Sequence, residues 1–306
     1  MGPTLAMAES TAPSNRPFRG GTLQLDEISY SAGDGIGEIV LNRPDQLNPI
    51  SGRPGGTRDQ ILWAMAEAER DSEVGCVLIR GAGRAFSAGG DLAGNAPRET
   101  AFEHSEFLER AEAFASSIRQ AGLPVVAAVH GYCLGAALQL ITSCDLVLAA
   151  DTARFGIPEG RLGLVGVAPL IPVVGRQWAK FLVMTGEMID AERARQIGLV
   201  LTVEPEAVLV ERARDLCRRL ARLPRQSLLL NKRTVDAVAD ASGEAAGRAV
   251  ATARDAVTLS HSRHATAPDG RTFDEIRRAD GVAGLKAARE AQYDRPWLAP
   301  PATDPQ

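Results

Sequence analysis

The chain has 306 residues and 45% of them are apolar, enough for a large core in one or two domains. Its formal net charge is −4 and its arginines are spread among acids, so no basic field points to nucleic acid. No apolar run reaches the roughly 20 residues of a membrane span, and the four cysteines form no CxxC pair, which argues against zinc and disulfide frameworks.

Residues 1–21 are rich in Ser, Pro, Ala and Gly, lack periodicity and lack the apolar centre of a signal peptide, so a disordered tail is expected there. Strand patterns follow over 23–40, broken at Gly33-Asp-Gly35. Thr57 and Gln60 spell a capping box for a helix to Arg70, with Ile61, Leu62, Met65 and Ala68 on one face. A short apolar run over 76–79 leads into the turn Gly81-Ala-Gly-Arg-Ala-Phe-Ser-Ala-Gly-Gly-Asp-Leu92. A mobile loop is expected over 95–100, then a long helix over 102–121 stopped by Leu123-Pro124. The apolar run 125–129 leads into a second turn, His130-Gly-Tyr-Cys-Leu-Gly-Ala-Ala-Leu-Gln139, a helix to Ser143 and a strand over 146–149. Strands alternating with helices predict α/β layers. Periodicity alone leaves a doubly wound sheet and a spiral of strand-turn-helix units both open. Beyond Leu223 only helices are expected, over 224–240, 243–261 and 272–294, the last opened by a Thr272/Glu275 capping box. The Pro-rich end 296–306 is expected to be loose.

Both glycine-rich turns follow a buried strand, and each is expected to lead into a helix. Such turns aim unpaired backbone N–H groups outward, where the helix start favours negative charge. Two N–H donors meeting at one oxygen would form an oxyanion hole.

Ala85-Phe-Ser-Ala-Gly-Gly-Asp-Leu92, His130 to Gln139, Cys144-Asp145 and Phe155-Gly-Ile-Pro-Glu159 together resemble the crotonase, or enoyl-CoA hydratase/isomerase, family. The resemblance runs in matching order over about 21–300. It implies an α/β fold with a crotonase-like ββα spiral core over 22–222. The C-terminal helical region, 223–306, would cover the acyl site and form trimer contacts. It also implies a homotrimer or dimer of trimers with an acyl-CoA as substrate; the cysteine usage points to a reducing cytoplasm, and charge and hydropathy to no nucleic-acid or membrane partner. By the same match the oxyanion donors are the N–H groups of Gly90 and Ala136, although Ala136 stands where the family usually has Gly. Leu41-Asn-Arg-Pro44 and Leu47-Asn48 resemble the family's first CoA-binding loop. Arg43, Gln46 and Leu47 would line the pantetheine and phosphates, and the backbone near Ala88 would meet the adenine. Gly52-Arg-Pro-Gly-Gly56 departs from that loop. CoA enters as part of the substrate; no metal or prosthetic group is implied.

Family hydratases commonly use two glutamates. Glu159 occupies the position of one; Gln139 stands at the other, three residues after Ala136 and so on the same helix face. An amide exchanges no proton at working pH but orients a water or the substrate. Glu159 is then the single titratable candidate. One base that moves a proton between two carbons suits double-bond isomerisation, with hydration close behind. A non-catalytic CoA-thioester binder and a hydrolytic or decarboxylating crotonase stay open. A serine hydrolase built on Ser87 and His130 is a third class, weighed against Ser87 as a small turn residue. Gly81-x-Gly83-x-x-Phe86 fails as a dinucleotide fingerprint because its third glycine is Phe. Asp91 reads as a helix cap, His130 as a satisfied imidazole and Tyr132 as packing.

Overall fold

The computed structural model describes Phe18 and residues 21–94, 98, 100–162, 170–262, 264–291, 293 and 296–299. Almost all of the tail expected over 1–21 and most of the loop expected over 95–100 lie outside the described residues, as does the end beyond Ala299.

The chain opens with β1 (Thr22–Gln24), β2 (Ile28–Gly33) and β3 (Ile36–Leu41), which pair antiparallel. Asp34 and Gly35 join β2 to β3 with positive φ of 53° and 79°, the backbone that a two-residue hairpin requires. Helix α1 (Thr57–Arg70) then crosses to β4 (Cys76–Gly81), and α2 (Ala101–Arg119) crosses to β5 (Val125–Val129). After these come β6 (Tyr132–Leu134), α3 (Ala136–Thr142), β7 (Leu146–Ala150), β8 (Arg154–Gly156) and a 3-10 segment, Pro158–Leu162. The remainder is α4 (Leu170–Thr185), β9 (Met188–Asp190), α5 (Ala191–Gln196), β10 (Thr202–Glu204), α6 (Glu206–Ala221), α7 (Arg225–Ala241), α8 (Glu244–Ser262) and α9 (Phe273–Glu290).

The main sheet runs β1-β2-β3-β4-β5-β7-β10 and is parallel from β3 onward; β6-β8-β9 form a second, smaller sheet. The central strands β4 and β5 of the main sheet carry buried apolar residues on both faces because both faces are covered. Val77, Ile79, Val125 and Ala127 join the larger core, which also takes in Ile61 and Met65 of α1 and Phe114 and Ile118 of α2. Their alternating neighbours Cys76, Leu78, Val126 and Ala128 pack with Leu209, Ala213 and Cys217 of α6. A third cluster joins Phe273, Ile276 and Leu285 of α9 to Leu162, so α9 is fastened to the segment Pro158–Leu162.

Some sequence expectations change. Thr57 makes no capping box: the N-cap of α1 is Gly56. The Thr57 hydroxyl instead donates to Glu27, and the Gln60 amide accepts from the Glu27 N–H. A buried carboxylate inside hydrogen-bonding reach outcompetes the local cap. A reciprocal box does open α2, from Thr100 and Glu103, and the expected Thr272/Glu275 box opens α9. No helix follows the first glycine turn directly, since α2 begins only at Ala101. Asp91 accordingly caps a turn, accepting from the N–H groups of Ala93 and Gly94. Tyr132 does not pack: it is 43% exposed.

Candidate active site

The two glycine turns are zipped together by main-chain hydrogen bonds. The Ser87 N–H donates to the Tyr132 carbonyl at 2.9 Å, and the Leu134 N–H donates back to Ser87 at 3.1 Å. The loop 43–48 closes on the first turn from the other side. The Ala88 N–H donates to the Leu47 carbonyl, and the buried Asn48 amide donates to the carbonyls of Ala82 and Ala85. Leu47 and Asn48 adopt positive φ of 62° and 52° to do this. Asn48 is thus a staple between loop and turn, a role for which the sequence offered only its place in the motif.

This zipping brings the two turns into van der Waals contact. Gly89 has φ +102°, and a Cβ on it would lie 2.8 Å from the Leu134 carbonyl and 3.7 Å from the Ala136 nitrogen. Only glycine satisfies both demands. The next residue, Gly90, faces open space. Neither the Gly90 N–H nor the Ala136 N–H finds a protein acceptor among the described residues, and both residues line one cavity of about 630 Å³. That volume suits a small ligand or the acyl part of a larger one. Ala136 is the first residue of α3, so its N–H has no partner within the helix.

Glu159 enters the same cavity from the segment Pro158–Leu162. Its carboxylate rests against Gly135, where φ is +51° and any Cβ would overlap it. Its Oε2 is sealed from solvent and has no hydrogen-bond partner among the described residues. Burial raises its pKa above the ordinary carboxylate value, opposed by its own backbone N–H and by Arg289. A carboxyl held like this keeps its proton to higher pH than an exposed one, which favours a role in proton transfer. Gln139 lines the cavity from α3.

The other expected positions differ among themselves. Gln46 and Ala88 line the cavity. Leu47 stands behind Ala88 as its backbone acceptor. The Arg43 guanidinium is engaged inside the protein, 2.7 Å from Asp91 and 3.4 Å from Glu27, and it also donates to Gln46. The hydroxyl of Ser87 is fully buried and accepts from the Gly89 N–H, while the His130 ring bonds to the Gly83 carbonyl at 2.8 Å. Ser87 and His130 form no nucleophile–base pair.

Glu159 is not the single carboxyl of the cavity. Glu112 of α2 and Asp255 of α8 also line it. Glu112 is held by Arg248 at 3.2 Å. Asp255 is 7% exposed, and burial pushes its pKa up to about 6. The sequence hint was present but faint: Asp255 is a lone acid beside Arg254 in a stretch otherwise of Ala, Thr and Val. The cavity is also lined by Arg58, Arg98 and Phe107, with the two guanidinium carbons 5.0 and 3.8 Å from the centroid of the Phe107 ring. No cluster of three or more metal-ligating side chains occurs among the described residues. No helix among them is long and apolar enough to cross a membrane.

Two interlocked glycine turns, each with an N–H unspent among the described residues, share one cavity with the half-buried Glu159. The family model described as enoyl-CoA hydratase/isomerase matches residues 31–272, and the chain belongs to that family, the crotonases. The mitochondrial enoyl-CoA hydratase of Pongo abelii is 32% identical over 234 residues, 74% of this chain and 78% of that protein. A probable enoyl-CoA hydratase, echA8, of Mycobacterium leprae is 33% identical over 220 residues, 70% of this chain and 82% of that protein. The crystal structure of an enoyl-CoA hydratase/isomerase from Xanthobacter autotrophicus Py2 superposes with a TM-score of 0.81 at 29% identity, covering 89% of this chain and all of that one. The mixed sheet and C-terminal helices are therefore a crotonase fold.

Proposed function

We propose that the protein moves the double bond of an enoyl-CoA thioester, with Glu159 as the base and then the acid. The thioester carbonyl accepts hydrogen bonds from the N–H groups of Gly90 and Ala136. Glu159 removes a proton from the α carbon of a 3-enoyl-CoA, and the electron pair delocalises onto the thioester oxygen as a dienolate. The same carboxyl then returns the proton to the γ carbon, which leaves the double bond between the α and β carbons. Donors aimed at the oxygen hold the dienolate more strongly than the neutral ester, so they lower the barrier and not merely the binding energy. One such donor is worth about 3 kcal/mol. The observation that carries this reading is the half-buried Glu159, its sealed Oε2 without a partner among the described residues, in one cavity with two unspent N–H groups, while Gln139 replaces a second glutamate.

Hydration is the second reading. The relatives named above are called hydratases, and Asp255 supplies a further carboxyl in the same cavity that could share a water with Glu159. Purified protein given a 3-enoyl-CoA and, separately, a 2-enoyl-CoA decides between the two. Formation of the conjugated 2-enoyl isomer, lost in Glu159→Gln, supports isomerisation. Formation of a 3-hydroxyacyl-CoA from the 2-enoyl ester with no isomer from the 3-enoyl ester overturns it. We also propose a homotrimer or dimer of trimers, supported by exposed apolar residues on α7 and α8, among them Leu230, Val235, Val238, Val250 and Val257.

A further inference from the structure

Among the described residues, Arg58 is a buried cation with no counter-ion. It is 8% exposed, lines the cavity from the first turn of α1, and makes no ion pair or side-chain hydrogen bond among the described residues. Its surroundings worsen its position. Phe107 and Phe114 flank the guanidinium at 5.0 and 6.0 Å, and Arg98 shares the Phe107 ring. Burial, with Arg98 and Arg110 nearby, pushes its pKa down to about 10, and Asp59 opposes this. A charge kept out of water without a partner is costly, and aromatic faces offset only part of the cost. Gly52 shows how closely the site is built: a Cβ there would meet Phe107 at 2.7 Å and the Arg58 Nη1 at 3.2 Å. Gly52 thus lets the chain fold down over this arginine.

Resting on the acyl-CoA reading above, we propose that Arg58, assisted by Arg98, is a subsite for an acyl chain ending in a carboxylate, so that the thioester is one of a dicarboxylic acid. A carboxylate is the smallest anion that matches the guanidinium fork. The other anion an acyl-CoA brings is a phosphate of CoA. The depth of Arg58 between two phenylalanines favours the singly charged, slender end of an acyl chain over a multiply charged nucleotide, whose desolvation costs more.

The test is direct binding of saturated thioesters to the full chain, which isolates recognition from turnover. Matched pairs run from butanoyl- and succinyl-CoA to octanoyl- and suberyl-CoA. At the chain length that reaches Arg58, the carboxylate-ended thioester should bind about 10- to 100-fold more tightly than its methyl-ended partner. Arg58→Gln should remove that preference and Arg58→Lys should keep part of it. Equal affinities in the wild type at every length overturn the proposal and leave the acyl-CoA reading standing. Equal weakening of both members of a pair by Arg58→Gln also overturns it, assigning Arg58 to a CoA phosphate. If no thioester binds at all, the acyl-CoA reading falls with it. The wild-type series decides the matter even if an Arg58 variant fails to fold.

Discussion

Gly135 is the position where a single methyl group tests the site. A Cβ there would lie 2.5 Å from the Glu159 Cδ, whereas ordinary contact begins at 3.4 Å. The Glu159 Oε1 is closer still, so in Gly135→Ala the carboxylate must retreat by more than about 1 Å. A displacement of that size in a reacting group costs about 100-fold in rate. The backbone at φ +51° adds about 1–3 kcal/mol of conformational strain, and each kcal/mol lowers Tm by about 2–4 °C in a chain of this size. Steady-state kcat/KM on an enoyl-CoA and thermal denaturation separate the two effects. Gly243→Ala is the control: its φ is +103° with nothing within 4 Å, so it pays backbone strain without touching the site. The expectation is a loss of about 100-fold in kcat/KM for Gly135→Ala and none for Gly243→Ala. A folded Gly135→Ala protein with wild-type kcat/KM would show that the chemistry does not run through the Glu159 carboxylate where it now rests.

Other outcomes follow from the same geometry. Glu159→Gln should lower kcat by about 10²–10⁴-fold. In the wild type, kcat/KM should fall with decreasing pH through a midpoint above the ordinary 4.5, because burial makes the base hold its proton more tightly. The same raised value makes Glu159 stabilise the fold below the ordinary carboxylate range and lose that contribution as pH rises through its folded value. Glu159→Gln should thus melt higher than the wild type at neutral pH, and the difference should close in acid; an unchanged Tm at both pH values counts against a buried charge. Gln139→Glu should raise the rate of hydration of a 2-enoyl-CoA relative to isomerisation, and product analysis reads the ratio. Arg161 ties the Glu159 segment to the rest of the protein: it reaches Glu187 and the Thr185 carbonyl, both at 2.9 Å, pairs with Glu290 of α9 and lies 3.8 Å from the Tyr293 ring centroid. Arg161→Met leaves Glu187 buried without its cation and should cost about 3–5 kcal/mol in denaturant unfolding, with kcat reduced as well.

The strands and most helices were legible because both faces of the main sheet are covered, which forces unbroken apolar runs such as Val125 to Val129. Capping boxes were legible only where nothing stronger competed: Thr272 kept its local partner, while Thr57 was drawn to Glu27, thirty residues back. The two glycine turns could be picked out because each demands glycine at a particular backbone angle or contact, whereas Glu159 was reached through the resemblance carried by Phe155-Gly-Ile-Pro-Glu159. Gly89 and Gly135 leave no room for a side chain, whatever the rest of the fold does. What tertiary structure alone decided was which charges are satisfied. Arg43 and Arg58 look equivalent in a line of letters. In the fold, Arg43 meets Asp91 and Glu27, and Arg58 is flanked by phenylalanines with no ion pair among the described residues. Likewise Asp255, more than ninety residues beyond Glu159, enters the same cavity only because α8 packs across α2. Local backbone demands are written residue by residue, whereas the partner of a buried charge is set by which distant elements close over it.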